Sequence, residues 1–296
     1  MATLVTTVTA VLSVGPGTPA TAASQYCTQT APNASILFYD EQTGAAVTGT
    51  LAAGRWRHRA AFTLPEGYTN AAVSRDTLLL YNRYTGAGES GTLTAGKYTR
   101  VKVFANSLKG WFSVAASGDS VLFYDESTGR GVTGNLKNGA YRQVRTYDDF
   151  GKGWVGTASS CDTMVFEKGT GETIEDYRSD LAYGKLQNGV YTPMGSKDGE
   201  EYLGSLTATK DSVLAFAATD TEFFFNVGTA TDGKVSAFSN NGGSSIYDNV
   251  ARTADSLLFY KSEGTSWTAK FSGGHLASVG PLAGLSSHWS IIGGGV

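Results

Sequence analysis

The sequence predicts an all-β protein whose six tandem antiparallel repeats close into a six-bladed β-propeller. Three observations support this prediction. The composition suits short strands and tight turns, a unit of about 43 residues recurs six times, and each unit carries the signals of four short strands.

The composition favours strands over helices. The chain of 296 residues has 38 Gly, 15 Tyr and 14 Phe but only 6 Pro, and 17% of its residues are charged. A chain of this length can bury a large core without a metal or a dense disulfide framework. Its net charge is -3, so no overall positive field attracts nucleic acid, and we expect no nucleic-acid partner.

The first 23 residues predict export. Residues 1–23 carry no charge, run apolar and Thr-rich, and end in the small residues of 20–23, as a signal peptide does, although the usual basic residue near Met1 is missing. Residues 24–34 then form an N-terminal arm. No stretch of the chain approaches the ~20 apolar residues that a membrane helix needs, so we expect a secreted, extracellular protein without a membrane span.

The repeats become visible when the chain is divided before each aliphatic-aromatic strand. The six copies cover 35–75, 76–118, 119–161, 162–210, 211–254 and 255–296. Only the fourth copy is long, and its extra residues fall near 172–183.

The third copy shows the pattern inside one unit. Strands are expected at 121–124, 132–136, 141–147 and 154–158. Asp125–Gly129 supplies a turn with capping and positive-φ residues, and Asn138-Gly139 is a strong hairpin signal. One such sheet cannot bury both of its faces, so the copies must stack on one another, and radial stacking produces a propeller.

Two other all-β arrangements fit part of the pattern. The spacing of Tyr124, Gly131 and Gly139 is that of tandem βγ-crystallin-like Greek keys, although Gly129 stands where that motif has an aromatic residue. Two β-trefoils of three copies each would place Cys27 and Cys161 at the two ends of the first trefoil.

The repeats resemble a known family. Leu79-Leu80-Tyr81-Asn82, Thr85-Gly86, Gly96-Lys97-Tyr98 and Gly110-Trp111, with their counterparts in the third copy, resemble the tachylectin-like β-propeller repeats of secreted bacterial proteins. The likeness covers the chain after about residue 35 and is strongest in copies one to three. It implies a propeller that recognises sugars or surfaces, without assigning the binding residues.

An aromatic residue precedes each new copy by eight or nine positions, or occupies the matching place in the last copy. These residues are Tyr68, Trp111, Trp154, Tyr202, Tyr247 and Trp289. A flat apolar face with a hydrogen-bond donor suits stacking on a sugar ring, so they are the candidate ligand-binding residues. Packing between blades would impose the same regularity.

Charge gives two further patterns. The third strands of copies one to three are basic, which suits either a cationic face for acidic glycans or solvated edge strands; the residues are Arg55, Arg57, His58, Arg59, Lys97, Arg100, Lys102, Arg142 and Arg145. Asp40, Asp125 and Glu167 are interpreted as equivalent carboxylates that follow the aromatic strands and cap turns.

No catalytic or metal-binding motif is visible. The three histidines, His58, His275 and His288, stand in no nucleophile, zinc or phosphate-binding pattern. We therefore predict no enzymatic activity, no metal and no cofactor. Cys27 and Cys161 are the only cysteines, and an exported pair can form a disulfide.

These observations predict a secreted, non-catalytic binding module with lectin-like recognition of carbohydrate or a cell-surface polymer. The alternative is a protein-interaction scaffold or a secreted peptidase inhibitor, for which a loop protruding from the long fourth copy would be the contact element.

Overall fold

The computed structural model describes residues 34–170, 178–201, 204–218, 223–240, 247–263, 265–283, 285–286 and 288–295, and every helix or strand within these ranges is a β-strand. The first eleven strands are β1 (Ser35–Tyr39), β2 (Ala45–Ala52), β3 (Arg55–Thr63), β4 (Asn70–Val73), β5 (Thr77–Tyr81), β6 (Gly88–Thr94), β7 (Lys97–Phe104), β8 (Ser113–Ser117), β9 (Ser120–Asp125), β10 (Arg130–Lys137) and β11 (Ala140–Tyr147). The others are β12 (Gly156–Ser159), β13 (Thr163–Thr170), β14 (Arg178–Gln187), β15 (Val190–Glu201), β16 (Ser205–Ala208), β17 (Ser212–Ala218), β18 (Phe223–Thr231), β19 (Lys234–Val235), β20 (Ser239–Asn240), β21 (Asn249–Arg252), β22 (Ser256–Tyr260), β23 (Ser266–Ser272), β24 (His275–Leu282) and β25 (Ile291–Gly294).

The strands form six antiparallel sheets, which are the blades. Blade 1 is β25-β1-β2-β3, blade 2 is β4 to β7, blade 3 is β8 to β11, blade 4 is β12 to β15, blade 5 is β16 to β19 with β20 beside β18, and blade 6 is β21 to β24. The innermost strand of each blade, which is β25 in blade 1, contacts the innermost strand of the next blade. These contacts run all the way round a closed ring. The propeller prediction is therefore confirmed, and the Greek-key and paired-trefoil alternatives are wrong.

The sequence repeats and the blades are out of step by one strand. The segment expected as the fourth strand of the third copy forms β12, which pairs with β13 in blade 4 rather than with β11 in blade 3. Because of this shift, the inner strand of blade 1 comes from the other end of the described chain. The late strand β25 supplies it by pairing with β1, from Ile36 opposite Gly294 to Tyr39 opposite Ile291.

The hydrophobic core is divided between the blades. Each of six buried clusters combines side chains from two neighbouring sheets; Leu79 and Tyr81 of blade 2, for example, pack with Val121, Phe123 and Tyr141 of blade 3. A blade alone would expose both of these faces to water, so burial of apolar surface favours the complete ring.

A repeated hydrogen bond joins each blade to the next. A Ser or Thr at the start of the second strand accepts the backbone N–H of a glycine in the outer hairpin of the neighbouring blade, at 2.8–2.9 Å. We call this contact the latch. Its six pairs are Gly54 with Ser256, Gly96 with Ser35, Gly139 with Thr77, Gly189 with Ser120, Gly233 with Thr163, and Gly274 with Ser212.

The backbone of the hairpins exposes the N–H groups that the latch uses. Asn138 and Gly139 both have positive φ, 55° and 77°, as a two-residue type I′ turn requires. Asp76 accepts the N–H of Asn138 at 3.1 Å, while Thr77 accepts that of Gly139 and donates its own proton to Asp76 at 2.7 Å. The hydroxyl of Thr77 is fully buried, so it cannot be replaced by water.

We expect Thr77→Val to lower the free energy of unfolding by about 1–3 kcal/mol, because it leaves the buried N–H of Gly139 without an acceptor. Thr77→Ser keeps the hydroxyl and is the matched control. Chemical denaturation of both variants measures the difference. Equal stability of the Val and Ser variants would contradict the latch.

Candidate functional site

The recurring aromatic residues lie between the blades. Tyr68 is only 6% exposed and belongs to the cluster of blades 1 and 2, while Trp111 and Trp154 pack, half-buried, against the next two clusters. Tyr247 and Trp289 do the same in the clusters of blades 5 and 6 and of blades 6 and 1. Tyr202 lies outside the described residues. Each of the five described side chains occupies a different cluster, so they do not converge on one surface.

In blades 1, 2, 3 and 6, a tyrosine at the end of the second strand fixes the loop that carries the recurring aromatic residue. The hydroxyl of Tyr81 donates to the carbonyl of Trp111 at 3.0 Å, and that of Tyr124 donates to Gly151 at 2.8 Å while accepting the N–H of Trp154. Tyr39 and Tyr260 donate to the corresponding loops at Pro65 and Ser286. The loops at this end of the ring are therefore held by side chains from the core.

Glu167 occupies the tyrosine position in blade 4, which corrects its interpretation as an equivalent of Asp40 and Asp125. It pairs with Gly156, the first residue of the inner strand, as Tyr124 pairs with Ser113. Glu167 is buried and accepts the hydroxyl of Ser179 at 2.7 Å. Burial raises the pKa of this carboxyl group because the charged form loses its hydration.

Asp40 and Asp125, in contrast, are turn caps. Asp40 accepts the backbone N–H of Gln42 at 2.9 Å, and Asp125 accepts the hydroxyl of Thr128 at 2.7 Å. These hydrogen bonds lower the pKa of both carboxyl groups. Their acceptor capacity is used within their own turns, as the capping interpretation expects.

The inner strands surround a narrow central channel of about 150 Å³. Most of its walls are small or aliphatic side chains, such as Ala71, Ala115, Ala158 and Val250. Arg252 is the exception at the fourth position of β21. Its guanidinium donates to the carbonyls of Ala116 at 2.8 Å, Ala208 at 2.9 Å and Ser159, which belong to three other blades.

Arg252 stands in no repeated pattern of the sequence and is not among the predicted site residues. No carboxylate lies within ion-pair distance of its guanidinium in the described part of the chain, and burial lowers its pKa to about 10. The carbonyl dipoles of the strand ends therefore hold the charge. By crossing the channel, Arg252 fills the end at which the inner strands finish.

The opposite mouth of the channel is a cup of about 400 Å³. Its wall combines hydroxyl and amide groups with apolar side chains, and includes Asn70, Ser113, Thr157, Asn249 and Ser290. Phe112 and Val155 stand at its rim with 50% and 60% of their surface exposed. These two residues directly follow Trp111 and Trp154, so the rim of the cup lies one position after two of the predicted aromatic residues.

Arg83 supports one side of this rim. Its guanidinium carbon lies 5.0 Å from the ring centre of Phe112 and 4.8 Å from that of Tyr84, whose hydroxyl accepts Nη2 at 2.6 Å. The amide of Asn70 donates to the carbonyl of Phe112 at 3.0 Å. Arg83 therefore supports the exposed ring of Phe112 and Asn70 holds its backbone, which gives a ligand a fixed apolar face.

The basic residues predicted on the third strands lie on the outer strands of blades 1, 2 and 3. Arg55, Arg57, His58 and Arg59 are exposed on β3; Lys97, Arg100 and Lys102 on β7; Arg142 and Arg145 on β11. Arg100 lies 3.6 Å from Glu89. This basic edge is separate from the cup.

The histidines do not form a shared site. His58 and His275 are on the outer strands of blades 1 and 6, and His288 lies in the loop before β25. The described ranges contain no group of three His, Cys, Asp or Glu side chains that could hold a metal ion. Cys161 is disulfide-bonded, and the only other cysteine, Cys27, falls outside the described residues.

Comparisons with known proteins show the fold and no family. No family model and no curated protein matches the chain. A structure of a functionally unknown protein from Desulfotomaculum acetoxidans matches with a TM-score of 0.56 and 11% identity, over 88% of this chain and 86% of that one.

Two other solved structures match at similar distance. One chain of a nidogen/laminin complex gives a TM-score of 0.53 and 10% identity over 88% of this chain and 97% of its own. A protein of Bacteroides fragilis, provisionally assigned as a 6-phosphogluconolactonase, gives 0.51 and 7% over 87% and 96%. In the described residues, no helix is long and apolar enough to cross a membrane.

We expect Trp154→Ala to lower the free energy of unfolding by about 3 to 5 kcal/mol, since the indole packs against Phe166 and donates to the carbonyl of Phe150 at 2.8 Å. Trp267, with 37% of its surface exposed, is the control, and its replacement should cost less. Unchanged stability of the Trp154 variant in thermal and chemical denaturation would contradict the packing role.

Glu167→Gln should stabilise the protein above pH 4.5, the ordinary pKa of glutamate. The raised pKa of Glu167 means that the folded state favours the protonated form, so ionisation costs stability as pH rises through the folded-state pKa. The gain should therefore be absent below pH 4.5, grow as the pH rises through the folded-state pKa, and stay constant above it. Melting temperatures across this range test it, with exposed Glu126→Gln as the control; a gain independent of pH would contradict the burial effect.

Proposed function

We propose that this propeller is a secreted, non-catalytic binding module that recognises carbohydrate at the mouth of its central channel. The observation that carries the proposal is the cup itself, whose lining combines the exposed ring of Phe112 with the amides of Asn70 and Asn249 and the hydroxyls of Ser113 and Thr157. An apolar face next to paired donors and acceptors is the chemistry that a sugar ring requires.

Two further observations agree with this proposal. The resemblance of the repeats to tachylectin-like propellers favours sugar or surface recognition. The uncharged residues 1–23 and the disulfide at Cys161 favour export into an oxidising compartment. The solved structures that match bear on the fold alone, because their identity with this chain is 7–11%.

The proposal differs from multivalent binding by equivalent pockets in every blade. Rim residues of the cup differ from blade to blade: Phe112 and Val155 are large and apolar, whereas Ser290 is small and polar. A single asymmetric cup would bind one ligand in one orientation. Binding at the six recurring aromatic residues stays a prediction.

Absence of catalysis is also part of the proposal. A general acid and a general base must converge on a substrate, at least one with a shifted pKa. Glu167 has a raised pKa but is buried against Gly156 and Ser179, behind the wall of the cup. Its carboxyl group has no open path to a ligand in this arrangement.

A protein-interaction scaffold is the second candidate, favoured by the exposed apolar side chains of Tyr84, Phe112 and Val155 at this end of the ring. The peptidase-inhibitor variant depends on the long fourth copy, where β14 and β15 reach 10 and 12 residues. Residues 171–177, between β13 and β14 in the chain, lie outside the described residues.

A glycan array on the purified protein should give a defined set of ligands, and Phe112→Ala should weaken their binding at least about fivefold, since one aromatic stacking contact contributes about 1 kcal/mol. Asn249→Ala, the second cup variant, should also weaken the binding of these ligands. Trp267→Ala removes an exposed aromatic residue away from the cup and should leave affinity unchanged. Glycan binding that is insensitive to both cup variants would overturn the proposed site, and an array without ligands would favour the scaffold.

A further inference from the structure

A second surface, distinct from the cup, combines four cations in one groove. Arg55, Arg57 and Arg59 of β3 and Lys270 of β23 line an open depression of about 630 Å³ at the junction of blades 6 and 1. All four residues are exposed. We call this surface the cationic groove.

The fold, not only the sequence, brings these charges together. Arg55 pairs with Ala52 and Arg57 with Thr50, so both side chains leave the same face of blade 1, about 6–7 Å apart along the strand. Lys270 pairs with Ser256, which accepts the N–H of Gly54 through the latch. The latch therefore places a cation that is more than 200 residues away in sequence beside the arginines.

The described part of the chain places no ion-pair partner in the groove. In the described residues no carboxylate lies within 4.0 Å of the four cationic groups. Asp255 stands at this junction, but its carboxylate accepts the N–H of Ala53 and the hydroxyl of Ser256. Its oxygens serve the latch and do not pair with the arginines.

Arg59 departs from the pattern of the other blades. It occupies the bulge position of the outer strand, where blades 2, 3, 4 and 6 carry Val101, Val144, Met194 and Val279. Each of those apolar side chains packs on a hairpin glycine of the next blade, as Arg59 packs on Gly96. An apolar residue satisfies the packing at this position in the other blades, and Arg59 adds a charge that those blades lack there.

We propose that the cationic groove binds an acidic polysaccharide, a polymer whose carboxylate or sulfate groups pair with the three guanidiniums. Arginine matches these groups with two parallel hydrogen bonds, and a row of such contacts suits a chain with regularly spaced anions. The inference does not depend on the cup, because the two surfaces share no residue.

The observations favour a polysaccharide over a nucleic acid. Single-stranded nucleic acids bind to aromatic side chains that stack on their bases, and the lining of the groove contains none. Trp56, the nearest aromatic residue in sequence, packs on Phe38 within the core.

The test compares two variants of equal charge in the full chain. In the groove variant, Arg55, Arg57 and Arg59 are replaced together by Ser. In the control variant, Ser replaces Lys109, Arg130 and Lys152, which are exposed at the end of the ring that carries the cup. Binding of dextran sulfate, polygalacturonate and a DNA duplex is measured by calorimetry at about 0.05 and 0.15 M salt. Unfolding curves establish that both variants are folded.

We expect the native chain and the control to bind at least one acidic polysaccharide, with affinity that falls as salt rises, and the groove variant to bind it at least about tenfold more weakly. Equal losses in both variants would mean nonspecific attraction and would overturn the groove. Failure of the native chain to bind either polysaccharide, or tighter binding of the DNA duplex, would also overturn the inference. Loss of cup-dependent glycan binding in Phe112→Ala leaves this result unchanged.

Discussion

The hydrogen bond from a hairpin glycine to a serine or threonine of the neighbouring blade is the contact on which the ring depends. It occurs at all six junctions with nearly constant length, and its acceptor is fully buried each time. Because a sheet packed only through apolar contacts can slide, a directional bond at each junction fixes the angle between blades. The cup, the channel and the cationic groove all lie between blades, so their shapes follow from that angle.

Much of the architecture could be predicted because the repeat is a local pattern. Aliphatic-aromatic strands and two-residue hairpins that end in glycine are visible within each copy, and together they define an antiparallel sheet. The one-strand offset could not be read in the same way, because β12 follows β11 in the chain and only the partner across the sheet shows where it belongs. Strand pairing between copies is a non-local property.

The candidate site was predicted less well, for related reasons. The aromatic residues were found by their period, and period is the mark of a packing role that every junction shares. Residues that differ from blade to blade do not follow this period. Examples are Phe112 and Val155 at the rim, Arg252 in the channel, and Arg59 at a position that is apolar in other blades. Glu167 shows the opposite error, since an alignment shifted by one residue gave a buried carboxyl group the role of an exposed cap.

The pairing of β25 with β1 couples the order of synthesis to the order of folding. Until residues 291–294 have been made, the edge of β1 that pairs with β25 keeps backbone N–H and C=O groups without their native strand partner. A free edge of this kind is a template for pairing with another chain. A factor that keeps the nascent chain extended until its last strand has emerged would therefore favour the closed ring over aggregates, and loss of that delay would reduce yield without altering the native structure.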